Sequence, residues 1–331
     1  MFEMNHPWLK YIRFSFSSNG LMYFDPRVQE YMGKYGNFIS LGISLDGFKE
    51  LHDACRIDLE GKGSYDRVIA AVRDYKKRYG DMPSIKMTYA PENIQYMFKS
   101  FLSLLEEGYT QLIGNCVFED VWNNECATIL YYQLKQIADY LIDNDLYNKI
   151  YYSFFSETNF HPMDETENQN WCGGTGTSML AIDNKGDIYR CIRYMQTSLQ
   201  GQQPPLPIGD VKHGIGVLPE HKDSLEKIGC GSCEITRRSQ STDECFYCPI
   251  AQGCAWCSGY NYQITGSANK RVTYICVMHK ARALANVYFW NKLYKKLGID
   301  KVFVNHLPNE QSLMIIPQEE LDLLKSLEKE E

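Results

Sequence analysis

The sequence predicts an α/β protein whose first half is a parallel sheet covered by helices and whose second half is an irregular, cysteine-rich metal domain. Two observations lead there. Strand-like runs alternate with helix-like stretches up to about residue 155, the pattern of βα units. Nine of the twelve cysteines fall between Cys172 and Cys276, and six of those nine form CxxC pairs.

The elements follow in order. Tyr11–Phe16 is a short β-type run that ends in the turn Ser18-Asn19-Gly20. Phe38–Leu45 is a second strand, apolar enough for burial on both faces, and it ends at Asp46-Gly47. Ser64 is placed to cap a helix whose Val68, Ile69, Val72 and Tyr75 recur at helical spacing, with Gly80 to stop it. Ile85–Tyr89 reads as a strand, Ile94–Glu107 as a helix and Gln111–Phe118 as a strand. A long amphipathic helix follows over Glu125–Asn144. From about residue 156 Asn, Gln, Gly, Pro and Cys dominate and periodicity fades, so a domain boundary is expected within 156–170. Met179–Asp183 and Ile188–Cys191 flank Asn184-Lys185-Gly186 as a hairpin. A helix is expected from Cys276 to about Lys296, and a short charged one over Gln318–Glu331.

At 331 residues the chain suffices for one large domain or two ordinary ones. Hydrophobic content of 44% with 23% charged residues is that of a globular protein in water. A net charge of −7, with no run of five Lys or Arg, argues against nucleic acid or an anionic membrane as partner. No stretch of 18 apolar residues occurs, and the start MFEMNHPWLK has neither a basic nor an apolar signal region. A cytoplasmic location is expected.

The clustered cysteines are Cys172, Cys191 in Gly186-x4-Cys191, Cys230-x2-Cys233, Cys245-x2-Cys248-x5-Cys254-x2-Cys257, and Cys276 after eighteen intervening residues. Two thiolates two residues apart can converge on one centre from a tight turn, and nine thiolates fill two four-ligand sites with one over. Pro249 stiffens the exit of the first of these loops. Spacing alone leaves three readings open. Disulfides suit an oxidising compartment rather than a cytosol. Structural zinc uses the same CxxC pairs, and so do iron–sulfur clusters. Cys55, Cys116 and Cys126, scattered through the first half, are expected as buried small hydrophobes.

The run CGGTGTSMLAIDNKGDIYRC, then CFYCPIAQGCAWC, then the distant Cys276, resembles the SPASM domain of radical SAM enzymes that modify peptides, a group related to anaerobic sulfatase-maturating enzymes. The family pattern has C-x3-C where Cys254-x2-Cys257 stands here. FSFSSNG, SLDG, HDACR and GKGSYDRV look like the third and fourth strands of a radical SAM barrel with their connections. IKMTYAPENIQYM and Gln111–Phe118 look like the fifth and sixth. The resemblance implies a partial (β/α) radical SAM barrel over 1–160, a SPASM-type twin-cluster domain with a C-terminal helix over 161–297, and an extension over 298–331. It implies that Cys245, Cys248, Cys254 and Cys276 hold one auxiliary 4Fe-4S cluster, and Cys172, Cys191 and Cys257 a second. The second would have its fourth position open to substrate, or filled by Cys230 or Cys233. Ser44 and Arg56 stand where the family contacts S-adenosylmethionine.

Radical SAM chemistry also needs a third 4Fe-4S cluster on a CxxxCxxC loop. That motif is absent from the 331 residues, as is the GGEP-type segment that holds the SAM amino group. Two explanations are open: Met1 as an internal start in a longer gene, with roughly 100 residues lost, or a remnant that keeps the auxiliary clusters. The undamaged look of the other motifs favours the first. The resemblance implies that the intact enzyme abstracts hydrogen from a ribosomally made precursor peptide with a 5′-deoxyadenosyl radical, using a reductant such as flavodoxin or ferredoxin. Sulfatase-maturing members carry Asp directly after the G-x4-C cysteine, where this chain has Ile192. That departure favours a Cys-containing precursor peptide as partner. A non-catalytic iron–sulfur or peptide-binding protein and a zinc-stabilised module are the alternatives.

Overall fold

Period-two burial marks the first strands. Phe14–Ser18 (β1) lies at a sheet edge with most of its residues exposed, whereas Ile39–Ser44 (β2) buries Ile39, Leu41 and Ile43. Ser84–Tyr89 (β3) buries Ile85, Met87 and Tyr89 in the same alternation. The next strand is broken into Gln111–Leu112 (β4) and Gly114–Cys116 (β5), and Tyr151–Tyr152 (β6) follows. The computed structural model describes residues 7–11, 13–168, 172–175, 179–229 and 235–329. Among the described residues the strands of this half pair in parallel, β1 with β2, β2 with β3, β3 with β5, and β4 with β6, and one isolated antiparallel bridge joins Ile57 to Gly63. The strand expected over Gln111–Phe118 is therefore split at Ile113, whose carbonyl still accepts from Met87 N–H at 3.0 Å. β1, β2 and β3 lie side by side in sequence order, whereas β5 pairs with β3 and β6 with β4.

Parallel pairing requires a crossover between strands, and helices supply it: Pro26–Tyr35 (α1), Lys49–Cys55 (α2), Tyr65–Tyr79 (α3), Met97–Glu106 (α4) and Asn124–Asp143 (α5). The start of α1 is set by Asp25, whose carboxylate accepts from Arg27 N–H, with Pro26 in the first turn. α3 buries Val68, Ile69, Val72 and Tyr75 and stops at Gly80, which takes the left-handed φ of +74°. Ser64 stands before it without making a capping bond, because its hydroxyl is engaged elsewhere. α5 buries Leu130, Leu134, Ile137 and Leu141 on one face, each worth roughly 1.5–3 kcal/mol. Cys116 is buried at the end of β5 and Cys126 half-buried. Cys55 is exposed, contrary to expectation, because it ends α2 where the chain turns away to an extended Arg56.

The second half has its own small antiparallel sheet, Ala181–Ile182 (β7), Asp187–Tyr189 (β8), Gly209–Asp210 (β9) and Gly214–Ile215 (β10), in the order β10-β9-β8-β7. The expected hairpin turn is held by the Asp183 carboxylate, which accepts from the N–H groups of Lys185 (2.8 Å) and Asp187 (3.0 Å). Around it lie short helices, Gln196–Leu199 (α6), Pro219–Lys227 (α7), Arg237–Gln240 (α8), Asp243–Phe246 (α9) and Ser258–Thr265 (α10). Tyr189, Tyr194, Leu206, Ile208 and Tyr262 are among the residues of this second core.

Cys276–Leu297 (α11) returns the chain to the first core. Buried residues occur nearly all round it, as befits a helix covered on every side. It packs along α5 and against Gln318–Glu328 (α13), which follows the short Asn309–Leu313 (α12). Asn286 of α11 grips the segment that leaves β6: its Nδ2 donates to Phe154 O (2.9 Å) and its Oδ1 accepts from Ser156 N–H (2.8 Å). Beside it Phe155 stacks on Phe289 with centroids 4.2 Å apart. Among the described residues no helix is long and apolar enough to cross a membrane.

Candidate metal centre

The carboxyl ends of parallel strands are where α/β folds place their chemistry, and β2 ends in Ser44-Leu45-Asp46-Gly47. Gly47 takes φ +125°, and a Cβ there would lie 2.3 Å from Ser100, so the turn is open to glycine alone. It sends Asp46 inward, 3% exposed, where its carboxylate accepts from Arg56 Nε, from Arg56 Nη2 (3.2 Å) and from Thr88 N–H (3.2 Å). Behind it Ser64 Oγ donates to Arg56 O (3.0 Å), so the same oxygen must accept from His52 Nε2 at 3.0 Å. Burial of His52 lowers its pKa against the pull of Asp46, which keeps the ring neutral. Of the two residues expected to meet S-adenosylmethionine, Ser44 is half-buried at the strand end and Arg56 is tied to Asp46. The SLDG motif pointed to this turn, but no sequence signal paired its Asp with Arg56.

Two sets of thiols assemble in the second half. Cys245, Cys248, Cys254 and Cys276 line one cavity of about 290 Å³, together with Arg271, Lys280 and the buried His279. α9 brings Cys245, the loop through Pro249 brings Cys248 and Cys254, and the first residue of α11 is Cys276. Arg271 Nη2 donates to Cys254 Sγ at 2.9 Å. Burial, and then the neighbouring thiolates of Cys254 and Cys245, raise the pKa of Cys248. Burial likewise raises that of Cys245.

Cys172, Cys191 and Cys257 form the other set. A Cβ on Gly174 would touch Cys191 Cβ (3.2 Å), Ser258 Oγ (3.4 Å) and Cys172 Sγ (3.5 Å), so these groups surround one point of the chain. Ser258 Oγ lies 3.0 Å from Cys172 Sγ and accepts from Tyr194 Oη at 2.9 Å. Cys257 Sγ accepts from Tyr260 N–H at 3.4 Å. Burial raises the Cys191 pKa, and the thiolates of Cys257 and Cys172 add to it. Cys230 and Cys233 lie outside the described residues.

A thiol whose charged form is disfavoured by burial and by its neighbours becomes a thiolate readily once a cation is bound among them. Among the described residues no three Cys, His, Asp or Glu side chains stand close enough together to ligate a single ion. A tetrahedral zinc would need sulfurs about 3.8 Å apart, given Zn–S bonds of about 2.3 Å. Four thiols around one cavity of about 290 Å³ are a donor set that thiolate-held clusters use, and the space admits a group with several metal atoms. Arg271, Ser258 and Tyr194 went unread in the sequence because nothing local marks an Arg or a hydroxyl as a neighbour of sulfur.

No family model and no curated protein matches the sequence. Among solved structures, the chain is similar to native anSMEcpe, an anaerobic sulfatase-maturating enzyme, with bound AdoMet and Kp18Cys peptide. The likeness has a TM-score of 0.51 at 15% identity, over 87% of this chain and 76% of that one. The same protein with AdoMet and Cp18Cys peptide gives 0.52 at 14%, over 88% and 77%. With AdoMet alone it gives 0.51 at 14%, over 87% and 75%. At these identities the likeness shows the fold: a mixed α/β chain with a parallel sheet like that of radical SAM enzymes.

Proposed function

We propose that this chain is an iron–sulfur protein of the radical SAM/SPASM peptide-maturase type, whose partial barrel carries two auxiliary 4Fe-4S clusters and receives a peptide. The observation that carries the reading is the division of the described cluster cysteines into the same four and three that the resemblance assigns. Cys245, Cys248, Cys254 and Cys276 would hold one cluster. Cys172, Cys191 and Cys257 would hold the other, with Cys230 or Cys233 or a substrate thiolate as the fourth ligand. Such clusters supply one-electron transfer when bound. The protein's part is to hold them in place through these cysteines and to present the strand ends, with Ser44 and Arg56, to S-adenosylmethionine. The 331 residues contain no CxxxCxxC to mount a SAM-cleaving cluster, so radical formation is not assigned to them.

The substrate class we favour is a ribosomally made, Cys-containing precursor peptide, with flavodoxin or ferredoxin as reductant. The fold neighbours raise a second reading, sulfatase maturation. Against it stands Ile192, exposed and without an ionisable group at the position after Cys191. The test is iron, zinc and acid-labile sulfide per chain on protein reconstituted without oxygen. About eight irons with matching sulfide support the reading. About two zincs without sulfide would replace it with a structural zinc domain.

A further inference from the structure

Parallel sheets are ordinarily covered on both faces. Here the registered pairs of β1, β2, β3 and β5 sort the side chains onto two faces of different chemistry. One face carries Ile39, Leu41, Ile43, Ile85, Met87 and Tyr89, all buried in the first core. The other carries Ser40, Ser44, Ser84, Lys86, Thr88 and Asn115, all exposed or half-buried. Lys86 is the one charged residue in these four strands.

A polar patch stands at the carboxyl end of this uncovered face, the end at which α/β folds bind their ligands. Ser44 is in register with Lys86, and Thr88 with Asn115. Their side chains therefore stand on strands about 4.8 Å apart. The Thr88 backbone is engaged, its N–H with Asp46 Oδ1 (3.2 Å) and its carbonyl with Asn93 Nδ2 (3.4 Å), whereas its hydroxyl is not. Among the described residues none of these four side chains has a hydrogen-bond or ion-pair partner, and none is buried. The neighbouring carboxylate, Asp46, is already held by Arg56 and by Thr88 N–H. An ammonium flanked by two hydroxyls and an amide complements a ligand with one carboxylate among hydroxyl and amine groups. S-adenosylmethionine is such a ligand: it has one carboxylate at its methionine end, two ribose hydroxyls and the adenine amine.

We infer that Lys86 is a binding residue for the carboxylate of S-adenosylmethionine, set beside Ser44 on the uncovered face of the sheet. The inference rests on the reading above that Ser44 and Arg56 face that molecule. It assigns the anion to a different cation, because Arg56 is engaged with Asp46. A lysine brings three donors on a flexible stem and meets a single carboxylate as a point charge. The contact is an ion pair with a charge-assisted hydrogen bond, and no bond is made or broken. A lysine that is merely solvated would not distinguish a ligand with a carboxylate from one without.

The experiment is calorimetric titration, without oxygen, of S-adenosylmethionine and of decarboxylated S-adenosylmethionine into the reconstituted full-length chain. Wild type, Lys86→Met and Lys86→Arg are compared, with iron and acid-labile sulfide measured on each. Wild type is expected to bind S-adenosylmethionine more tightly than its decarboxylated form. Lys86→Met is expected to weaken S-adenosylmethionine about tenfold or more, the contribution of a hydrogen bond to a charged group, and to leave the decarboxylated form within about twofold. Lys86→Arg keeps the cation and is expected to keep most of the preference. Equal weakening of both ligands in Lys86→Met, or no weakening of either, overturns the inference and leaves the reading of Ser44 standing. Wild type that holds iron and sulfide but binds neither ligand overturns the inference and the Ser44 and Arg56 reading together, with the cluster reading intact. Wild type that binds as expected without iron refutes the clusters and supports the assignment of Lys86.

Discussion

Replacing Asn286 by Ala is expected to loosen α11 from the segment that leaves β6 within the first core. Asn286 is fully buried and uses both ends of its amide: Nδ2 donates to Phe154 O (2.9 Å) and Arg282 O (2.8 Å), and Oδ1 accepts from Ser156 N–H (2.8 Å). The Arg282 carbonyl belongs to α11 and keeps its helical environment. Phe154 O and Ser156 N–H lie outside regular structure and lose a partner each, and the Trp290 indole N–H loses its bond to Oδ1 (3.3 Å). A buried polar group left unpaired costs about 1–3 kcal/mol, so the two backbone groups alone cost about 2–6 kcal/mol before any cavity term. Against a typical total of about 5–15 kcal/mol this is a large share. Urea unfolding of the metal-free protein, with the midpoint and slope fitted separately, reads it directly. Asn286→Asp serves as a companion, because it keeps the acceptor for Ser156 but turns a buried oxygen toward Phe154 O and Arg282 O. The expected order of stability is wild type, then Ala, then Asp. A loss below about 1 kcal/mol for Ala, with an unchanged slope, would show that this contact does not depend on the amide.

Two further outcomes are expected. Gly47→Ala puts a Cβ 2.3 Å from Ser100 at φ +125° and should destabilise by about 2–5 kcal/mol, with partial recovery in the Gly47→Ala, Ser100→Gly double variant, measured by the same unfolding curves. Buried His52 has a pKa below its unfolded value of about 6.5, so the unfolded chain takes up the proton first. Its contribution to stability is therefore complete above that pH and lost as pH falls below it, and His52→Gln should flatten this part of a stability–pH profile.

Much of the sheet was legible because burial there follows simple periods. Ile39, Leu41 and Ile43 alternate, Val68, Ile69, Val72 and Tyr75 repeat at helical spacing, and Gly80 ends its helix in the conformation that suits glycine. The misreadings come from tertiary competition for one group or one strand. Ser64 has the residue type and place of a cap, yet its oxygen is shared between Arg56 O and His52. The strand after α4 satisfies two neighbours by bending at Ile113, which its apolar run does not disclose. The strands Gly209–Asp210 and Gly214–Ile215 are too short to carry a period at all. At the thiol sets the ligand types were plain from CxxC spacing, but their surroundings were not. Arg271 reaches Cys254 across seventeen residues, and Ser258 reaches Cys172 across eighty-six.

The order of strands along the chain bears on how the protein is made. Each strand of the parallel sheet pairs with one synthesised shortly before, so the sheet can form as the chain emerges, with little waiting for distant partners. The thiol sets ripen later and one after the other. The three-thiol set has all its described members once Cys257 is made, whereas the four-thiol cavity lacks a wall until Cys276. That cysteine opens α11, the helix whose Asn286 then grips the segment that leaves β6. The last wall of the cavity and the helix that covers α5 are thus supplied by the same late segment of chain. A nascent chain stalled before Cys276 would carry the paired strands β1 to β6 and an open four-thiol site, the form of this protein most exposed to wrong metals and to oxidation.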